Sequence, residues 1–354
     1  MVRVIAFLAA TTALAGCAAN TVQPAPVAAA AAEAAPAAPV APPAPKPTYG
    51  TFGIDTSGMD TSVAAGDDFF GFANGTWAKN TQIPADKARY GMFNVLDDLS
   101  RERTRTIIEE QAKDPNSKIG NAYASFMDEA AIESKGLAPL DPWLNQIRGL
   151  KSKAQLARLY AASDEIGIGS PFRMFVAQDR KAPDQYILQM SQGGLGMPDR
   201  DYYLSTDPKL VETRAKYLEH LSNVLTLAGE KNPAARAKAI LDLETKVAKA
   251  HWTRAESRDA DKTYNKLTLA QLKARAPGFD FAGLVHGIGA NVNDVIVSQP
   301  TAFTGEAAAI AKAPLSVLKD QLLVRSIDSY AGYLPKAFDQ ERFHFYGTVL
   351  SGTP

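Results

Sequence analysis

One cysteine, at position 17, and four histidines, at 220, 251, 286 and 344, are all that 354 residues offer of two residue types that dominate metal and nucleophile chemistry. A single cysteine excludes a disulfide framework within the chain and any zinc cluster built on thiolates. No histidine opens an H-E-x-x-H pair: His220 is followed by Leu-Ser-Asn-Val, His251 by Trp-Thr-Arg-Ala, His286 by Gly-Ile-Gly-Ala and His344 by Phe-Tyr-Gly-Thr. Two imidazoles four residues apart are what places both on one helix face around a zinc ion. Excess charge is missing too. Thirty-eight basic residues balance 38 acidic ones, which argues against a nucleic-acid binder and against purely electrostatic membrane binding. No G-x-S-x-G elbow or phosphate loop is present. Gly193-Gly194-Leu195-Gly196 runs into Met197-Pro198-Asp199, so its amides do not lead into a helix and it reads as a turn-forming loop. Asp67-Asp68 reads as the acid-rich start of a helix rather than a catalytic pair.

What is present is unevenly distributed. Arg3, the apolar run Val4 to Leu14 and the closing Leu14-Ala15-Gly16-Cys17 read as an export signal, too short to span a bilayer. The last four residues match the bacterial lipoprotein signature, so residues 1–16 are expected to be removed and Cys17 acylated. Each buried acyl CH2 contributes about 0.8 kcal/mol to anchoring. Ala18 after the cysteine favours the outer membrane by the enterobacterial sorting rule, and the protein is expected in the bacterial cell envelope, facing the periplasm. From Ala18 to Thr48 there are 14 alanines and 8 prolines in 31 residues. Such a stretch has no periodic apolar face to bury and reads as an extended, disordered tether of roughly 90 Å at ~3.1 Å per residue.

From Tyr49 to Pro354 helical signals dominate. Met92–Ala112 carries Phe93, Leu96, Leu99, Arg103, Ile107 and Ile108 at helical spacing. Ile119–Ser134 continues with Ala122, Tyr123, Phe126 and Ala130. Pro208–Leu227 and Leu315–Tyr333 give two long helices. Asn232-Pro233 reads as an N-cap and first helical residue, opening a helix through Ile240, Leu243 and Val247 towards Trp252. Strand signals are confined to Phe172–Ala177, Tyr186–Met190 and Asp294–Ser298, the first two forming a hairpin around Lys181-Ala182-Pro183-Asp184. The expected class is mostly α with a minor β hairpin. Trp77, Phe93, Phe126 and Trp252 are expected to be largely buried. Pro335–Leu350 reads as a helix followed by a stop and turn at Ser351-Gly352-Thr353-Pro354, as though the chain were interrupted.

Several ordered blocks carry a resemblance. Asp67-Asp68-Phe69-Phe70-Gly71-Phe72-Ala73-Asn74-Gly75-Thr76-Trp77, then Ile83-Pro84 and Arg89-Tyr90-Gly91-Met92-Phe93, resemble the opening of the neprilysin family of zinc metallopeptidases, which includes bacterial PepO. Asn121–Asp128, Gln192–Leu204, His251-Trp252 with Glu256, Arg258-Asp259 and Thr263-Tyr264-Asn265, and Phe338–Gly347 agree in order. The likeness covers essentially all of 49–354.

The resemblance implies a helical domain that caps a catalytic half and encloses a cavity admitting only peptides. It also implies that the H-E-x-x-H, the further zinc-binding Glu and the catalytic acid lie beyond Pro354, so that this chain holds no catalytic or metal residue and no cofactor of its own, zinc belonging to the complete enzyme. Asn74 stands where animal members have a cysteine. Arg89 occupies the position at which the family meets the peptide's C-terminal carboxylate; a planar fork of donors suits that group, and the alternatives are a solvated arginine or one paired with Asp86. A second basic position of some relatives falls on Asp97. The expected function is thus the substrate-enclosing part of a zinc metalloendopeptidase, inactive alone, with peptides as partners. The alternative is a non-catalytic, peptide-binding envelope lipoprotein.

Overall fold

The computed structural model describes residues 56–87 and 89–354. The export signal, Cys17 and the tether at 17–48 lie outside the described residues. The chain divides into two compact units, one ending at Asn80 and one running from Thr81 to Pro354.

In the first unit, helix α1 (Phe69–Asn80) begins where the acid-rich reading puts it. Asp68 accepts from the Gly71 amide at 2.9 Å, satisfying one of the free N–H groups of the first turn. Asp60 folds the preceding turn onto the helix, accepting from Lys79 Nζ at 2.6 Å while the Trp77 amide donates to the Gly58 carbonyl at 3.0 Å.

The second unit starts with α2 (Met92–Gln111), α3 (Lys118–Met127), α4 (Glu129–Lys135), α5 (Asp141–Gly149) and α6 (Leu156–Glu165). Strands β1 (Phe172–Asp179) and β2 (Ala182–Gln192) follow, then α7 (Asp201–Leu204), α8 (Pro208–Leu227) and α9 (Pro233–Ala250). β3 (Lys266–Thr268), α10 (Leu269–Arg275), α11 (Phe281–Gly287) and β4 (Asp294–Val297) lead into α12 (Pro300–Lys312), α13 (Leu315–Tyr330) and α14 (Lys336–Arg342). The class is mostly α, as expected. The β element is larger than a hairpin: the sheet has the order β1-β2-β4-β3, with β2 and β4 parallel and the outer pairs antiparallel. Three-residue β3 is too short to carry an alternating pattern, which is why only the pairing with β4 reveals it.

Helix α9 is the hub, packing against α7, α8, α12 and α13. Its buried positions Ala237, Ile240, Leu243, Glu244, Val247 and Ala248 follow the 3.6-residue period. Arg236 ties its first turn to α13 by a fork onto Asp320, at 2.9 and 2.6 Å. A second apolar centre joins the sheet to the helices around it: Phe172 opens β1 and meets Phe279, Phe281 and Phe303 with ring centroids 4.8–5.1 Å apart. Such tilted and edge-on pairs add to the burial of the rings themselves.

Four expectations need correction. The stretch Ile119–Ser134 is two helices, because Asp128 at φ −80°, ψ 73° closes α3 and its carboxylate caps α4 at the Ala131 amide, 3.0 Å away. Asn232 does precede Pro233, but it sits in the left-handed region (φ 55°) and its side chain caps nothing; the proline's fixed φ alone starts α9. The hairpin turn is Arg180-Lys181, since Ala182 already pairs with Asp179. The aromatic quartet is not a core. Phe93 is 90% exposed, Phe126 is half exposed, and Trp77 and Trp252 are half-buried. Helix α2 buries none of its residues: its apolar face has the correct period but no covering element among the described residues.

The phenylalanine centre yields a stability expectation. Phe172→Ala removes a fully buried ring and should cost about 3–5 kcal/mol, read as a lower urea midpoint, whereas Phe93→Ala should change the midpoint little. Similar losses at the two positions would contradict the placement of the core.

Candidate functional site

The block Gln192–Leu204 is a tightly built loop. Gly194 has φ 77°, a region open to glycine at little cost. Gly196 faces the Tyr217 ring so closely that a Cβ would overlap the hydroxyl. The tightness comes from Glu244 of α9, a carboxylate with no exposed surface. Its Oε2 accepts from the hydroxyls of Tyr203 at 2.7 Å and Tyr217 at 2.9 Å, and from the Gly196 amide at 3.3 Å. Its Oε1 accepts from Gln321 Nε2 at 2.8 Å and Arg325 Nη2 at 3.1 Å, both on α13. Tyr203 in turn accepts from the Gly196 and Met197 amides at 3.1 and 3.0 Å, and Gln321 also donates to the Gly194 carbonyl at 3.2 Å. A buried charge is tolerable only when it is paired and hydrogen-bonded; Glu244 meets both conditions. Burial raises the pKa values of Tyr203 and Tyr217 well above the ordinary range, so both remain donors.

Motif blocks far apart in sequence meet here. Trp252 donates its amide to Gln192 Oε1 at 2.8 Å, and Gln192 Nε2 returns a bond to the Trp252 carbonyl at 3.0 Å. His251 ends α9 as its C-cap residue and is buried, its Nε2 3.4 Å from Glu306 Oε1. Burial pushes its pKa down to about 4, so the ring is neutral at pH 7. His251 is therefore a packed histidine at the end of the helix.

Arg89 lies in the segment before α2 and is exposed, with no hydrogen bond or ion pair among the described residues. Its neighbours are held in place: Lys87 forms an ion pair with Asp98 of α2, and Tyr90 donates to the same carboxylate at 3.0 Å. The segment is therefore pinned on both sides of a free guanidinium. Asp86 does not pair with Arg89, and Asp97 is engaged by Arg101 one turn on, at 2.9 Å.

Two clusters escaped sequence reasoning. Glu244 could have been found as an acid inside the buried stripe Ile240, Leu243, Val247. His220 likewise falls within the buried stripe Tyr217, Leu221, Val224 of α8, but its partners are not local. It is 1% exposed and held between Glu341 at 3.0 Å from Nδ1 and Asp328 at 3.2 Å from Nε2. The ring stacks on Phe345, centroids 5.0 Å apart at 16°. Phe345 belongs to a π-helical segment, Phe343–Val349, that continues α14. Burial alone would push His220 down, but the attraction of Asp328 and hydrogen bonds to Asp328 and Glu341 outweigh it and raise its pKa to about 9.

No group of three or more His, Cys, Asp or Glu able to hold a metal ion occurs among the described residues. The two buried histidines already have carboxylate partners, so the residues present do not fit a catalytic zinc, which takes three protein ligands and an open position.

Two outcomes follow. Glu244→Gln removes the buried partner of the half-buried Arg325 guanidinium and should destabilise the protein by about 1–3 kcal/mol in chemical denaturation. His220 has a folded pKa of about 9 against an ordinary ~6.5, so its contribution is complete below pH 6.5 and disappears as pH rises through 9. The stability gap between wild type and His220→Gln should accordingly shrink from pH 6 to pH 9.5. A gap that widens over that interval would contradict the charged clamp.

A family model described as peptidase family M13 matches residues 65–354. Neprilysin-3 of Drosophila melanogaster is 28% identical over 265 residues, covering 68% of this chain and 34% of its own length. Human endothelin-converting enzyme 1 is 27% identical over 247 residues, covering 66% and 32%. Among solved structures, the inhibitor complex of the Mycobacterium tuberculosis zinc metalloprotease Zmp1 aligns with a TM-score of 0.75 at 33% identity, over 85% of this chain and 47% of that one. PepO from Lactobacillus rhamnosis aligns with a TM-score of 0.66 over 82% of this chain and 47% of that one, its 17% identity speaking to the fold alone. The chain thus spans about a third of the length of these curated relatives and less than half of Zmp1. With most of its residues matched by the family model, the chain belongs to peptidase family M13 and corresponds to the N-terminal half of these neprilysin-like metallopeptidases.

Proposed function

We propose that this chain is the substrate-enclosing part of a zinc metalloendopeptidase that cleaves peptides, and that it does not catalyse alone. The carrying observation is the M13 match over 65–354 in a sequence without an H-E-x-x-H motif. Catalysis in this class needs a metal-bound water activated at neutral pH, and the residues described do not provide the ligands. The exposed apolar face of α2, with Phe93, Leu96 and Ile107 in the open, supports an intimate contact with a catalytic half, since contiguous apolar surface of this kind marks interaction sites.

Within that reading Arg89 binds the C-terminal carboxylate of the peptide. Its support is the free guanidinium held on a pinned segment, which loses little freedom on binding. Cys17 is the lipid attachment point and 17–48 the tether carrying the domain at 49–354 in the bacterial envelope. The support for the acyl attachment is the block Leu14-Ala15-Gly16-Cys17 at the end of an apolar run; none of the helices among the described residues is long and apolar enough to cross a membrane.

The experiment supplies an M13 catalytic half to the chain and measures cleavage of short peptides. Zinc-dependent cleavage is expected only with both halves present. Chelator-sensitive hydrolysis by the chain alone, after rigorous removal of host proteases, would overturn the proposal. In the combined enzyme Arg89→Ala should weaken free-acid substrates more than their amides, by about 1.5–3 kcal/mol for a lost charged hydrogen bond; equal losses remove Arg89 from the site. Intact-mass analysis of protein from its native host should show an acylated cysteine at the mature N-terminus, and a mature chain starting elsewhere would refute the anchor.

A further inference from the structure

Beside the loop that Glu244 anchors lies a cleft of about 220 Å³, lined among others by Arg173, Asp199, Arg200, His251, Arg254 and Gln299. Sites for drug-sized ligands usually occupy roughly 300–1,000 Å³, so this cleft suits one small molecule or one side chain rather than a length of polypeptide.

The charges around it do not balance. Arg254 is paired with Asp199, Nε to Oδ2 at 2.7 Å. Arg173 and Arg200 have no carboxylate partner among the described residues, and Arg200 Nε is buried with no acceptor. A buried donor left unpaired is costly and calls for an explanation. Two of the other titratable groups nearby, His251 and Glu306, supply no compensating charge. His251 is neutral at pH 7, its pKa pushed down to about 4 by burial. Glu306, buried behind Gly193 and Gly194, is pushed well above the usual carboxylate range by burial. Glu256 is held ionised chiefly by hydrogen bonds from the amide and hydroxyl of Thr253, at 2.8 and 2.7 Å, and it faces Arg200 without forming an ion pair, so it offsets one of the two guanidinium charges at most. Two unpaired guanidinium groups therefore share a small, partly enclosed space. Arg173 stands on β1 and Arg200 immediately precedes α7, elements that the sheet and the Glu244 network hold in place.

We propose that this cleft is a binding subsite for a single carboxylate group, held by Arg173 and Arg200. The planar guanidinium fork matches a carboxylate in two parallel hydrogen bonds, and the orphaned Arg200 Nε gains its missing acceptor. The subsite is separate from Arg89, which does not line the cleft, and it does not depend on the peptidase reading. The carboxylate has two possible sources, a free small acid or an acidic side chain of a peptide, and the volume accommodates either.

Calorimetric titration of the full chain separates them. The probes are succinate, the blocked peptide acetyl-Gly-Glu-Gly-amide and its glutamine counterpart. Saturable binding of succinate assigns the free acid, and binding of the glutamate peptide alone assigns the side chain; the glutamine peptide should not bind. Arg173→Gln and Arg200→Gln should each weaken binding about tenfold or more, and added salt should weaken it further. Arg173 is exposed on a strand, so its variant should keep the wild-type circular dichroism and serves as the test should Arg200→Gln fail to fold. Arg101→Gln, on the outside of α2, should bind as wild type. The proposal is overturned by an absence of saturable binding to both acidic probes at millimolar concentration, or by affinities indifferent to the substitution at Arg173.

Discussion

A single buried carboxylate organises the second unit. Glu244 accepts five hydrogen bonds, from two tyrosines, a glutamine, an arginine and a backbone amide. Those donors come from α7, α8, α13 and the loop before α7, so one side chain on α9 holds three other helices and a loop in register. The arrangement works because the interior strengthens every one of these bonds while penalising any that is left unmade. Removing one donor therefore leaves the rest under-satisfied. The turn at Gly194–Gly196 passes so close to Tyr217 and Glu306 that a Cβ at either glycine would crowd them, and the reciprocal Gln192–Trp252 clamp closes the same loop.

The polar centre and the apolar one divide the labour. The Phe172, Phe279, Phe281 and Phe303 cluster drives collapse through burial, which is strong but indifferent to orientation. The Glu244 and His220 clusters add direction, because their hydrogen bonds have required partners and angles. They share one face of α8, Tyr217 reaching Glu244 and His220, one turn on, reaching Asp328 and Glu341. His220 also stacks on the π-helical segment Phe343–Val349, so the insertion of an extra residue per turn coincides with the place where an imidazolium needs an aromatic face.

Other surfaces are built in the opposite sense. Helix α2 has a regular apolar face and buries nothing, while Arg89 stands free just ahead of it. An M13 N-terminal half that spans about a third of its curated relatives would be expected to show unfinished surfaces. Their placement on one contiguous stretch of chain, 89–111, fits a contact made with something other than the described residues. The cleft at Arg173 and Arg200 differs in kind, since it is polar and partly enclosed and these two arginines have no ion-pair partner among the described residues.

Much was legible in the residues alone. Helices α8 and α9 were visible from the 3.6-residue period and the prolines at 208 and 233, strands β1, β2 and β4 from short alternating or β-branched runs, and the family from ordered blocks. These are local signals, set by backbone sterics and by the sorting of apolar from polar side chains over neighbouring turns. Burial was not legible for Phe93 or Phe126, because an amphipathic face announces only that it can be covered and not that a partner is there. Glu244 and His220 each left a trace as a polar residue within an apolar stripe. Their roles depend on Arg325, Asp328 and Glu341, which are 81 to 121 residues away, and no local period encodes a distance of that kind. Sequence thus determined the elements and the family, while tertiary structure decided which polar groups are paired, which are left free and which apolar faces remain open, because those depend on the meeting of distant side chains in a medium where an unpaired charge is expensive.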